Sequence, residues 1–142
     1  MSEAPIDQAI DALNSLGNSG ASSDQVAALF AFYWKEIEVV LTPLIGEVSV
    51  ATLHQRCLFR TSEHIPWLKS AFKGTQAPVD LVDVVALISQ QLPPDAAVGT
   101  GAFLKNFNEK LASLLGRALT DRLFDLIWLK FFDIVPASDI PS

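Results

Sequence analysis

His54 and Cys57 are the two side chains of this sequence best equipped for chemistry. Three residues apart on a helix they would share one face. There an imidazole beside a thiol can form a nucleophile–base pair or half of a soft-metal site. Zinc needs two further ligands, however, and the other histidine, His64, lies beyond the expected end of that helix. No third group stands ready to orient a catalytic pair. Both residues also fall within an apolar stripe made by Val50, Leu53 and Leu58, where a histidine is ordinarily a core residue and a free cysteine a small hydrophobe. Cys57 is therefore expected to be inert, and no catalytic or metal site is assigned.

Arg122 offers a second possibility. At 100° per residue it falls at the centre of an apolar arc of Leu111, Leu115, Ala118, Leu119 and Leu126. An inward arginine either pairs with an acid such as Asp125 or presents its planar donor fork to a carboxylate or phosphate. Arg122 and His54 are accordingly the candidate ligand-binding residues. Arg56 and Arg60 stand four apart on the face opposite the Val50–Leu58 stripe and flank Phe59, a pattern found at interface anchors and on plain solvated faces alike. Phe124, Trp128 and Phe131 cluster on the side opposite Leu111, Leu115 and Leu126 and call for a cover of their own. With Arg56 and Arg60 they make up the candidate interface. Glu63 beside His64 suggests proton transfer, but Pro66 and Trp67 make the same segment read as an ordinary helix–helix corner.

The sequence holds no glycine-rich phosphate loop, no Gly-x-Ser-x-Gly, no His-Glu-x-x-His and no di-iron Glu-x-x-His pair. No cofactor is expected, and enzymatic activity has little to rest on.

The elements that would position these residues are helical throughout. Ile6, Ala9, Ile10, Leu13 and Leu16 form a short first stripe ended by Gly17, and Asn18 to Ser22 reads as a connector. Ser22-x-x-Gln25 is a capping-box pattern, and it opens a helix marked by Val26, Phe30, Tyr33, Ile37, Val40 and Leu44. Pro43 is expected to end or kink it near Thr42. A second helix spans about 47–61, and Pro66 opens a short helical turn closed by Gly74. Pro78 is expected to start the next helix, which Pro93-Pro94 stops, and Thr100 to cap the one after. Residues 33–46 and 103–116 echo each other at an offset of seventy, with Lys35/Lys105, Leu41/Leu111, Leu44/Leu114 and Gly46/Gly116 identical. Two helix–Gly–helix units follow from the echo, with breaks at both glycines. No stretch alternates with period two, so no sheet is expected.

The fold class is thus all-α: a bundle of about six helices in a single helical domain over residues 1–142. Residues 1–22 are expected to form a short helix and linker, and residues 136–142 a frayed tail. The net charge of −6 argues against a nucleic-acid module, which must neutralise phosphates. A membrane span is not expected either, because Lys35, Glu36 and Glu38 interrupt the longest apolar stretch. A single cysteine and an acidic N-terminus agree with a soluble cytoplasmic protein. Half the chain is apolar, a surplus that implies a self-association surface or a pocket. The expected function is protein–protein interaction by a regulatory or adaptor module that homodimerises and takes a protein partner. The rival is a binder of an apolar or amphipathic anionic small molecule in an inter-helical pocket.

Overall fold

A computed structural model describes residues 10, 11, 13–15, 20 and 22–134, with side chains as far as Ile127. Five α-helices and one 3₁₀ helix carry the architecture after the helical residues 10, 11 and 13–15: α1 Ser23–Ile45, α2 Glu47–Ser62, the 3₁₀ helix Pro66–Ala71, α3 Leu81–Ser89, α4 Pro93–Leu115 and α5 Arg117–Ile134. The described residues contain no strand, and none of their helices is long and apolar enough to cross a membrane. Most of the N-terminal stripe and the whole 136–142 tail lie outside the described residues, although Leu13 is buried in the core.

α1 begins as its capping box requires. The Ser22 hydroxyl accepts the Gln25 N–H at 3.2 Å, and the Gln25 side chain accepts the Ser22 N–H at 2.8 Å. Pro43 does not end it at Thr42, since α1 runs on to Ile45. The proline sits in the last turn on the exposed side, where the one lost N–H bond is a small loss. The chain then turns at Gly46, whose φ of 90° lies in the left-handed region that costs an L-residue with a Cβ. Its N–H bonds back to the Thr42 carbonyl at 2.9 Å, and its carbonyl takes the Val50 N–H at 3.1 Å. One glycine thus closes α1 and opens α2.

Gly116 does the same between α4 and α5. Its φ is 93°, its N–H reaches the Ala112 carbonyl at 2.9 Å, and its carbonyl accepts from Thr120 at 3.2 Å. The echo is therefore structural. α1 and α4 each have 23 residues and start seventy positions apart. Eight of the nine buried positions of α1 coincide with buried positions of α4 at that offset: Val26/Ala96, Ala27/Ala97, Leu29/Gly99, Phe30/Thr100, Tyr33/Phe103, Trp34/Leu104, Ile37/Phe107 and Leu41/Leu111. The register continues past the glycines with Val50/Thr120, Leu53/Leu123, His54/Phe124 and Cys57/Ile127.

Two helix starts differ from the sequence pattern. α3 begins at Leu81 rather than at Pro78, because the Asp80 carboxylate caps it by accepting the Asp83 N–H at 3.1 Å. α4 begins at Pro93 rather than at Thr100. A proline in the first turn lacks only an N–H that would have no helical partner anyway. Thr100 is left buried within the helix. The glycines around it accept close neighbours: a Cβ on Gly99 would lie 2.3 Å from Cζ2 of Trp67, from the 3₁₀ helix.

Candidate functional site

His54 is fully buried where α1, α2 and α4 meet. Its ring centroid lies 4.3 Å from that of Trp34 and 5.0 Å from that of Phe103. Neither Nδ1 nor Nε2 has a hydrogen-bond partner among the described residues. Burial pushes its pKa down to about 3, because nothing in this aromatic box stabilises an imidazolium. Cys57, one turn on, is buried too. Burial raises its thiol to about 11, against a smaller downward pull from Lys110 and Arg60. The two side chains share no hydrogen bond, so no thiol–imidazole couple forms. Among the described residues no group of three His, Cys, Asp or Glu is placed to hold a metal ion.

Arg122 does not point inward. It is exposed on α5, as are Leu119 and Leu126 from the arc meant to surround it, and no ion pair joins it to Asp125. The arc assumed one continuous helix across Gly116. The turn there resets the phase, and the buried face of α5 becomes Thr120, Leu123, Phe124 and Ile127. The same shift moves Phe124 from the candidate interface into the core. The side chains of Trp128 and Phe131 lie outside the described residues. Glu63 and His64 are both exposed and form no ion pair, and Trp67 of the same corner lies against Gly99.

Arg56 and Arg60 are exposed on α2, as the spacing implied, and the fold gives them company. They line a groove of about 430 Å³ between α2 and α4, facing Asn106, Glu109, Lys110 and Ser113, with Cys57 in its wall. Arg60 and Lys110 both pull the Cys57 thiol pKa down, and cations from two helices thus line the same groove. None of Arg56, Arg60 and Lys110 has an ion-pair partner among the described residues. The Thr61 hydroxyl, which donates to the Cys57 carbonyl at 2.7 Å and accepts from Asn106 Nδ2 at 2.9 Å, ties the two helices together at one end.

On the other flank of α2 lies a cleft of about 650 Å³, with Glu38 and Glu47 at one side, Arg56 at another and Thr75 to Val79 across from them. The Glu38 carboxyl is held above its usual range by burial and by the Glu47 charge; the Trp34 indole and Lys35 oppose this. The indole nitrogen still lacks a partner with hydrogen-bond geometry. Sequence reasoning missed Lys110, Asn106, Glu38 and Glu47. Each reads alone as an ordinary helix-surface residue, and only the packing of α1 and α4 beside α2 gives them a common surface. Comparison of the chain with family models, with curated proteins and with solved structures finds no match.

Proposed function

We propose that this chain is a cytoplasmic regulatory or adaptor module that works by protein–protein interaction without catalysis, and that its docking surface is the groove of Arg56, Arg60 and Lys110. The observation that carries the reading is three cations from two helices that converge on one groove with no ion-pair partner among the described residues, in a chain of net charge −6. Such a groove suits an acidic segment of a partner protein. Charge complementarity steers that encounter, and Arg56 and Arg60 can each take a carboxylate through two parallel hydrogen bonds. A small apolar ligand finds less support. The space among Phe30, Leu68, Ile88 and Thr100 is about 10 Å³, room for one water at most, and Arg122 faces away from the core.

The test is a fluorescence-anisotropy titration with a labelled glutamate-rich peptide. Wild-type protein should bind it with a dissociation constant that rises with salt, and R56E/R60E/K110E should weaken binding by about tenfold or more. Equal binding by the triple variant would overturn the reading.

A further inference from the structure

The internal repeat exposes an irregularity at the start of α2. In the second unit one guanidinium braces the glycine corner: Arg117 donates to Asn108 Oδ1 at 3.2 Å and lies 3.8 Å from the Asp121 carboxylate. The positions of Arg117, Asn108 and Asp121 are held in the first unit, seventy residues earlier, by Glu47, Glu38 and Ala51. A carboxylate stands where the second unit has its cation, close enough for the Glu47 charge to act on Glu38. Neither acid has an ion-pair partner among the described residues, and Lys35 is the weakest of the influences on Glu38.

Both carboxylates line the cleft of about 650 Å³ beside α2, with Thr75 to Val79 across from them. Gln55 bridges those two walls. Its Nε2 donates to the Pro78 carbonyl at 3.0 Å, and Ala51 and Thr52, one turn before it on the same face of α2, line the cleft as Pro78 does. Gln55 is 1% exposed and its Oε1 has no partner among the described residues, so an unsatisfied acceptor joins two unpaired carboxylates. Arg56 bounds the other end, nine residues beyond Glu47 and so about 13 Å along the helix. Three acceptors of this kind call for a cation rich in donors, and the second unit shows which one suits the corner.

We propose that the cleft binds the arginine side chain of a partner segment, whose guanidinium takes beside Glu38 and Glu47 the role that Arg117 plays in the second unit. A guanidinium presents a planar fork of donors and can meet both carboxylates at once, whereas an ammonium is a single point charge. A metal ion finds less support, since no group of three His, Cys, Asp or Glu among the described residues is placed to hold one. The cleft is larger than one side chain needs. Val48, 80% exposed, and Pro78 and Val79 offer apolar surface to the residues on either side of the arginine. The site lies across α2 from the Arg56–Arg60–Lys110 groove and stands without it. With both, α2 holds an acidic segment on one flank and a basic one on the other.

Nuclear magnetic resonance of the full chain tests this, because the Trp34 indole acts on Glu38 and its N–H signal reports on the cleft. A short glycine peptide with one central arginine, blocked at both ends, should shift that signal and the amide signals of Val48 to Thr52 saturably. The dissociation constant should be about 1 mM or below in low salt and should rise with added salt. Lysine in place of the arginine should weaken binding about threefold or more, and arginine amide alone should also bind more weakly than the peptide. E38N/E47R rebuilds the Asn–Arg pair of the second unit, so it should keep the dispersed spectrum of a folded chain and lose about tenfold or more in affinity. No saturable shift in the wild type, or equal binding by E38N/E47R, would overturn the site. Equal binding of the lysine peptide would overturn the guanidinium as its ligand, and equal binding of arginine amide the partner segment as its source. The glutamate-rich peptide reads the basic groove alone, so either docking surface can fail while the other stands.

Discussion

His54 and Phe124 occupy the same position in the two halves of the fold, seventy residues apart and both buried in the helix that follows a positive-φ glycine. The second unit fills that position with a hydrocarbon ring. The first fills it with an imidazole whose two nitrogens have no partner among the described residues. A buried polar atom without a hydrogen bond costs about 1–3 kcal/mol. The aromatic box of Trp34 and Phe103 would accept a phenyl ring of similar shape at no such cost.

His54→Phe should therefore stabilise the protein and reduce its acid sensitivity. The sign follows from the pKa of about 3 in the fold against an ordinary 6.5. The unfolded chain takes up the proton first, so the stability linked to His54 is complete above about pH 6.5 and is lost as the pH falls towards 3. Between pH 6.5 and pH 4.5 that loss amounts to about 2–3 kcal/mol. Urea unfolding at the two pH values should show the variant losing less than the wild type by about that margin. Identical losses would mean that His54 keeps its proton in the fold.

Cys57 should resist thiol reagents in the native protein at neutral pH and react once the chain is unfolded. Its burial and its pKa of about 11 leave almost no accessible thiolate, even though the thiol borders the basic groove. Fast labelling by an aromatic disulfide reagent, without denaturant, is the result that would contradict this.

The helices and their glycine breaks were legible in the sequence because they are local. Ser22 and Gln25 form a capping box by themselves, and Gly46 and Gly116 stop helices by their own backbone freedom. Local preference misled at Pro43 and Thr100: the helix end expected near Thr42 comes at Ile45, because an exposed proline in the last turn loses little, and Thr100, expected as a cap, is buried inside α4. Arg122 was misplaced because a helical wheel carries no phase information across a turn. The face on which Arg56 and Arg60 lie was readable from their spacing to Val50 and Leu53, but the groove itself was not. Nothing in a one-dimensional pattern sets Lys110 opposite Arg60.

Alanine at Gly46 and alanine at Gly116 should destabilise the protein to a similar extent, about 1–3 kcal/mol each. Neither glycine has a neighbour that a Cβ would strike, so the cost is that of the positive-φ backbone alone, and φ, ψ values of 90°, 154° and 93°, 153° make it the same cost twice. Thermal unfolding of the two single variants measures it. A marked inequality would show that the two corners, despite matching hydrogen bonds, are not equivalent.

Gly99 differs from both, because its constraint is space rather than backbone. A Cβ there would sit 2.3 Å from Trp67 Cζ2, so Gly99→Ala must displace the indole. Alanine is otherwise the better helix former by about 1 kcal/mol, so the two effects oppose each other. Overpacking of this kind costs about 1–3 kcal/mol, and the clash should win in the wild-type background. With Trp67→Ala already in place the clash is gone, and the same Gly99→Ala change should turn stabilising. A double-mutant cycle by urea unfolding reads that reversal of sign directly. If Gly99→Ala has the same effect with and without Trp67, the close approach of the indole to α4 does not govern this position.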